Sequence, residues 1–183
     1  REELAAIGEV AASEDILILS DEIYEKLIYG ESEHVSIGSI SEEIQKLTIT
    51  INGFSKAYSM TGWRLGYTAA PKEIADAIDT IQSHSTSNPT TFAQYGAIAA
   101  LTGDQSEITD MVEEYNIRRQ YVLGRLNSIA NVSTIEPDGA FYFLINIENT
   151  GIKSVNFAEK LLSRMQVATV PGVAFGNDHS IRI

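Results

Sequence analysis

Lys56 stands in the run Gly53-Phe54-Ser55-Lys56-Ala57-Tyr58-Ser59-Met60-Thr61-Gly62-Trp63-Arg64-Leu65-Gly66, among apolar side chains and glycines, with Arg64 following in the same run. An ammonium held among apolar neighbours loses solvation, which favours the free amine, its nucleophilic form. Such an amine condenses with carbonyl compounds to form Schiff bases. A guanidinium like that of Arg64 offers a planar fork that matches phosphate oxygens. Upstream, Asp21-Glu22-Ile23-Tyr24 follows the apolar run Ile16-Leu17-Ile18-Leu19. Asp21 thus falls where a parallel strand would end, the place where ligands gather in open α/β sheets.

Each of these residues has a plainer reading. Most lysines are solvated surface groups; against that, Phe54, Tyr58, Met60 and Trp63 would make a poor solvated loop. Arg64 could pair with one of the many carboxylates. Asp21 could cap the next turn and Tyr24 could simply pack, and for an isolated Asp-x-x-Tyr that reading wins. Beside the lysine run the balance reverses.

The elements that must position these groups follow from periodicity. Glu2 to Val10 is helical, with Leu4, Ile7 and Val10 or Ala11 on one face. Ile16 to Leu19 reads as a strand buried on both faces of a parallel sheet. Leu47 to Ile51 is a second strand, closing at Asn52-Gly53, and Leu65 to Ala69 a third. Pro71 opens a helix to about Ser83, with Ile74, Ile78 and Ile81 aligned. Asn88 caps a helix whose first position is Pro89; it runs through Leu101, is apolar nearly all round, and is expected to be buried. Glu107 to about Ile129 is an amphipathic helix long enough to bridge two lobes. Then come a strand over Phe141 to Ile147, a helix over Ser154 to Met165, a strand over Val167 to Val170, and another starting at Ser180. The expected fold class is α/β: residues 1–104 as half of a doubly wound domain, residues 105–183 as a smaller α+β lobe with an antiparallel sheet. Both ends read as cut within elements, so the chain is expected to be part of a longer one.

Composition narrows the function classes. Thirteen basic against 25 acidic side chains give a net charge of −12, which argues against a nucleic-acid partner. With no cysteine, disulfides, thiolate metal sites and cysteine nucleophiles are excluded. No apolar run approaches the ~20 residues of a membrane span, and a cytoplasmic location is the default expectation. His34, His84 and His179 lack metal-ligand spacing and read as ordinary polar histidines.

The lysine run satisfies the whole lysine-attachment pattern of one enzyme family. With Asp21 and Tyr24 ahead of it and Phe175-Gly176 to Ile181-Arg182-Ile183 late in the chain, the sequence resembles the pyridoxal-phosphate (PLP) aminotransferases of fold type I, class I/II, along essentially its whole length. The resemblance implies that Lys56 carries PLP and shuttles a proton, and that Asp21 pairs with the pyridinium nitrogen. It further implies that Tyr24 bonds the ring's phenolic oxygen, and that Ser55 and Arg64 hold the phosphate. Arg182 would grip the substrate's α-carboxylate, its alternative being a solvent-facing strand-edge arginine. Many family members have serine where Gly53 stands, so that phosphate contact is missing here. Gly139-Ala140-Phe141-Tyr142 resembles another family segment and reads as structural, with Tyr142 a candidate neighbour of the site, and Trp63 reads as core beneath the phosphate loop.

The implied substrates are an amino acid and a 2-oxo acid, and the implied assembly is a homodimer with active sites at the subunit interface, for which the helix after Pro89 is a candidate surface. The resemblance covers the family's C-terminal part only. The N-terminal half would supply a phosphate-binding loop, a ring-stacking aromatic residue and an asparagine, so these 183 residues alone are expected to be inactive. Two other functions fit the same residues: a C–S β-lyase of this fold, and an aminotransferase-like effector domain of a transcriptional regulator.

Overall fold

The computed structural model describes residues 1–183, which divide into two compact units, Arg1–Asp110 and Met111–Ile183. The first holds a three-stranded sheet with helices; the second holds a four-stranded antiparallel sheet with helices.

In the first unit, helix α1 (Glu2–Ser13) buries Gly8 and Ala11 and half-buries Leu4, while Ile7 and Val10 are exposed, so only part of the expected apolar face is packed. The reason is close approach. A Cβ built on Gly8 would lie 2.4 Å from Cδ1 of Ile44, so the small residues admit the neighbouring helix and the large ones cannot. That neighbour, α2 (Glu42–Leu47), was not expected from periodicity because it is short. Its signal was the cap: Ser41 Oγ accepts from the Ile44 N–H, with Glu42 and Glu43 favourably placed in the first turn.

Strand β1 (Ile18–Asp21) pairs in parallel with β2 (Thr48–Gly53), and β2 pairs antiparallel with β3 (Gly66–Ala69). Pairing and alternation put Ser20, Thr50 and Ala69 on one face and Asp21, Ile51 and Thr68 on the other. The expected burial of Ile16–Leu19 on both faces does not occur: the strand starts at Ile18, and Leu19 is 68% exposed. An apolar run specifies a strand, but its burial depends on what covers the sheet, and the Leu19 face is open in this chain.

Helix α3 (Lys72–Ser85) has Pro71 as its N-cap rather than its first residue; Ile74 and Ile78 are half-buried, while Ile81 is exposed. Helix α4 (Thr91–Thr102) is capped by Thr90, so it begins after the Asn88-Pro89 start read from the sequence. Its expected burial is also corrected. Only Ala93 and Ala97 are buried, while Phe92, Tyr95, Ile98 and Leu101 face outward. Again small residues make the seam, since a Cβ on Gly96 would lie 2.7 Å from the Trp63 ring. Trp63 itself is 44% exposed and meets Phe92 edge-on at 6.1 Å, so it is not a core residue.

Helix α5 (Ser106–Asn127) starts in the first unit, and the division between units falls near its beginning. The second unit orders its strands β4-β5-β7-β6: β4 is Ser133–Thr134, β5 Leu144–Asn146, β6 Val170–Pro171 and β7 Ser180–Arg182. Strand β5 is shorter than the Phe141–Ile147 expected, β6 begins only at Val170, and β4 was not foreseen. Helix α6 (Ser154–Met165) lies where its amphipathic period put it. Leu126, Phe143, Ile145, Ile147 and Ile181 form the core, with Phe157 and Leu161 of α6 packed on it.

Glycine has one indispensable place in the first sheet. Gly53 and Gly66 are cross-strand partners, and a Cβ on Gly66 would stand 2.9 Å from the Asn52 carbonyl oxygen. Gly66→Ala should cost about 1–3 kcal/mol, read as a lower urea midpoint with unchanged slope. An unaltered midpoint would show that the strand pair relaxes freely.

Candidate functional site

Strand β1 ends at Asp21, whose Oδ1 accepts from the Ile23 N–H at 3.2 Å. The chain then turns helically: the Glu25 N–H donates to Glu22 O (3.0 Å) and the Leu27 N–H to Tyr24 O (2.9 Å). This turn swings Tyr24 back over the exit of β2, where the Lys56 Nζ stands 5.6 Å from the centre of the tyrosine ring. Asp21 itself is exposed, on the sheet face opposite Ser20.

Strand β2 ends at Asn52-Gly53, where the Asn52 Oδ1 accepts from the Gly53 N–H at 2.7 Å. A tight turn follows, with the N–H groups of Tyr58 and Met60 both donating to Phe54 O. Phe54, Ala57 and Met60 are buried, and Phe54 and Met60 pack with Ala97 of α4. Lys56 is therefore half-buried on a loop pinned by apolar side chains on both sides, which fixes the backbone that carries its amine.

Ser55 and Arg64 meet in one cleft of about 280 Å³, completed by Ile23, Asn52, Gly53, Leu65 and Gly66. Arg64 is left-handed (φ 53°) and donates from Nη1 to Thr61 O at 2.9 Å, which turns its guanidinium back along the loop. Beside the cleft the strand ends close on each other at Gly53 and Gly66, where a Cβ would stand 3.1 Å from Leu65 O and 2.9 Å from Asn52 O respectively.

These donors fit PLP. A hydroxyl and a guanidinium in one small cleft suit a phosphate dianion. An amine facing a phenol, beside a strand that ends in a carboxylate, suits a hydroxypyridine aldehyde. The structure thus gathers Ser55 with Arg64, and Lys56 with Tyr24, around the ends of β1 and β2.

Arg182 belongs to the second unit, on β7 opposite Leu144. Its Cζ lies 4.4 Å from the Tyr142 ring centre and 4.6 Å from that of Phe175, so two aromatic rings flank the guanidinium. No carboxylate lies within ion-pair distance of it. The approach to β7 is tied down at Ser154, which is fully buried and donates from Oγ to Asp178 Oδ1 at 2.7 Å. That bond, with the Ser154 N–H and Lys153, holds the Asp178 carboxyl below its ordinary range despite some desolvation. Tyr142, named from the sequence as a candidate site neighbour within an otherwise structural segment, is an immediate neighbour of Arg182.

Sequence reasoning also missed Glu22, which is buried. Its carboxylate accepts from Ser20 Oγ (3.0 Å) and Ser36 Oγ (2.8 Å), and His34 Nε2 lies 3.0 Å from it. Burial pushes this carboxyl up, but the bonds from His34, Ser36 and Ser20 and the His34 charge outweigh it, and it sits below the ordinary 4.5. The stability it contributes is therefore present above that value and is lost as pH falls below it. The one available signal was alternation, since Glu22 must point away from Asp21.

The chain matches the family described as "Aminotransferase class I and II" over residues 1–183. It is 46% identical to an aspartate aminotransferase of Bacillus subtilis over 187 residues, covering all of this chain and 48% of that protein. It is 40% identical to the aromatic-amino-acid aminotransferase 2 of Thermococcus litoralis, covering 96% of this chain and 45% of that one. Among solved structures, the aromatic aminotransferase from Pyrococcus horikoshii superposes with a TM-score of 0.95 at 40% identity, over all of this chain and 50% of that chain. An aspartate aminotransferase from Rhizobium meliloti superposes with a TM-score of 0.91 at 33% identity, over 96% and 46% of the two chains. The chain spans about half the length of the curated relatives it matches, and no helix is long and apolar enough to cross a membrane. A family match over residues 1–183, and backbones that superpose this closely at such identities, place the chain among the class I and II aminotransferases.

Proposed function

We propose that the intact protein is a PLP-dependent aminotransferase that moves an amino group between an amino acid and a 2-oxo acid. The observation that carries this reading is the pairing of Lys56 with Tyr24 beside the Ser55–Arg64 cleft. We read these 183 residues as the C-terminal part of its chain, the first unit lying in the PLP-binding large domain and the second in the small domain. When bound, PLP acts as an electron sink for a carbanion at the substrate's Cα.

The remaining work falls to this chain's side chains. Lys56 would attach the cofactor and, once the substrate's amino group had displaced it, would as a free amine take the proton from Cα and deliver it to the cofactor's aldehyde-derived carbon, acting as base and then acid. Asp21 keeps the ring nitrogen protonated by opposing its charge. Tyr24 donates to the phenolic oxygen, Ser55 and Arg64 hold the phosphate, and Arg182 grips the α-carboxylate in a bidentate pair. The same reading includes a homodimer and a cytoplasmic location, in keeping with the family resemblance.

The names of the relatives favour amino transfer over β-elimination or effector sensing: aspartate, aspartate/prephenate and aromatic aminotransferases recur among them. The candidate donors are therefore dicarboxylic and aromatic amino acids. The test is product analysis on the intact protein with PLP, supplying aspartate or phenylalanine with 2-oxoglutarate, and separately a cysteine conjugate. Glutamate formation is expected. Thiol, pyruvate and ammonia from the conjugate, with no amino transfer to 2-oxoglutarate, would assign a β-lyase instead. The 183-residue chain alone should show no turnover, because it spans about half the length of its relatives; activity comparable to the intact protein's would overturn that.

A further inference from the structure

We propose that Glu22 is a positioning residue for the cofactor site, fixing the turn that presents Asp21 and Tyr24; this rests on the PLP reading above. Glu22 is 7% exposed. A carboxylate in such a place is costly unless it is paired and fully hydrogen-bonded, and an apolar side chain would fill the volume more cheaply. Its retention therefore needs a reason, and the geometry supplies one.

Two segments meet at this carboxylate: β1, which supplies Ser20 and carries Glu22 at its exit, and the loop beyond the turn, which supplies Ser36 and His34. Its backbone is held at both ends as well. The Glu22 N–H donates to Ile51 O at 2.8 Å, extending the β1–β2 register one step past Asp21, and its carbonyl accepts the Glu25 N–H that opens the turn. Consecutive residues of an extended chain point to opposite faces. Anchoring Glu22 on the Ser20 face thus directs Asp21 to the other face, while the fixed carbonyl sets where Tyr24 emerges toward Lys56. Glu25 is the other charged group here: a carboxylate oxygen of it, one of Glu22 and a ring nitrogen of His34 all lie within 4.8 Å of one another. No separate role is needed for this trio, because His34 already has Glu22 as its partner.

The test uses the intact protein, with wild type, Glu22→Ala and Glu22→Gln compared by hydrogen exchange in the cofactor-free state and by PLP titration. Far-UV circular dichroism and melting temperature verify folding. In Glu22→Ala the Glu25 and Leu27 amides should exchange about tenfold faster and PLP should bind about tenfold more weakly, from the loss of charge-assisted hydrogen bonds. Glu22→Gln should recover most of both, because its amide oxygen still accepts from Ser20 and Ser36. If Glu22→Ala does not fold, Ser36→Ala carries the same comparison with an expected effect of about threefold. Folded variants with unchanged PLP affinity would overturn the proposal, whether or not exchange has risen. Should wild type bind no PLP, the cofactor reading falls, while the exchange data still decide whether Glu22 holds the turn.

Discussion

Lys56→Ala should leave the intact protein folded and unable to retain PLP covalently, with turnover lower by roughly 10²–10⁴-fold or more, the range that general acid–base groups supply. The substitution spares the loop itself, because Phe54, Ala57 and Met60 anchor it from the buried side. Lys56 is half-buried and faces the Tyr24 ring, so stability should fall by no more than about 0.5–2 kcal/mol, the range of such a contact. The measurement is borohydride reduction in the presence of PLP followed by intact-protein mass and peptide mapping. Wild type should carry one adduct, on Lys56. Lys72→Ala is the control, because Lys72 is an exposed helix lysine paired with Asp76, and it should label and turn over like wild type. An adduct that persists undiminished in Lys56→Ala would move the attachment point to another lysine and dissolve the site described here.

What could be read from the sequence was what local pattern determines. The strand exits at Asp21 and Asn52-Gly53 and the helix Ser154–Met165 all follow from apolar period and turn chemistry, and the structure has them at those places. Burial was read less well, because it depends on partners that periodicity does not name. Ile16–Leu19 and the helix after Pro89 were expected inside on hydrophobicity alone, yet Leu19, Tyr95 and Ile98 are exposed. The packed seams run instead along Gly8 and Ala11, and along Ala93, Gly96 and Ala97, where missing side-chain volume lets a neighbour approach. Long-range polar contacts were illegible for a related reason. Glu22 meets His34 and Ser36 across a loop, and Arg182 meets Tyr142, which lies ahead of β5, and Phe175, which lies in the turn ahead of β7. Neither arrangement leaves a spacing in the chain that distinguishes it from chance.

Arg182→Lys should keep the charge and still lower kcat/KM for amino-acid substrates by about 10²-fold, since hydrogen bonds to charged groups contribute about 1.5–3 kcal/mol each and lysine forfeits the second arm of the fork. The effect should fall mainly on KM if the carboxylate is held equally in ground and transition states, and on both parameters if it also aligns Cα. Tyr142 and Phe175 decide how much of the loss belongs to geometry. Flanking rings restrain the guanidinium, at about 0.5–2 kcal/mol per cation–π contact, and leave its N–H edge to face a planar anion. Tyr142→Leu and Phe175→Leu should therefore each weaken substrate binding by about 3–30-fold with Arg182 intact, in keeping with that range. An amine donor without a carboxylate separates recognition from folding, because its kcat/KM should be the same in Arg182→Lys as in wild type. If the variant loses activity toward that donor in the same proportion, Arg182 supports the strand rather than the substrate. If kcat/KM for amino acids is unchanged, the carboxylate is held elsewhere.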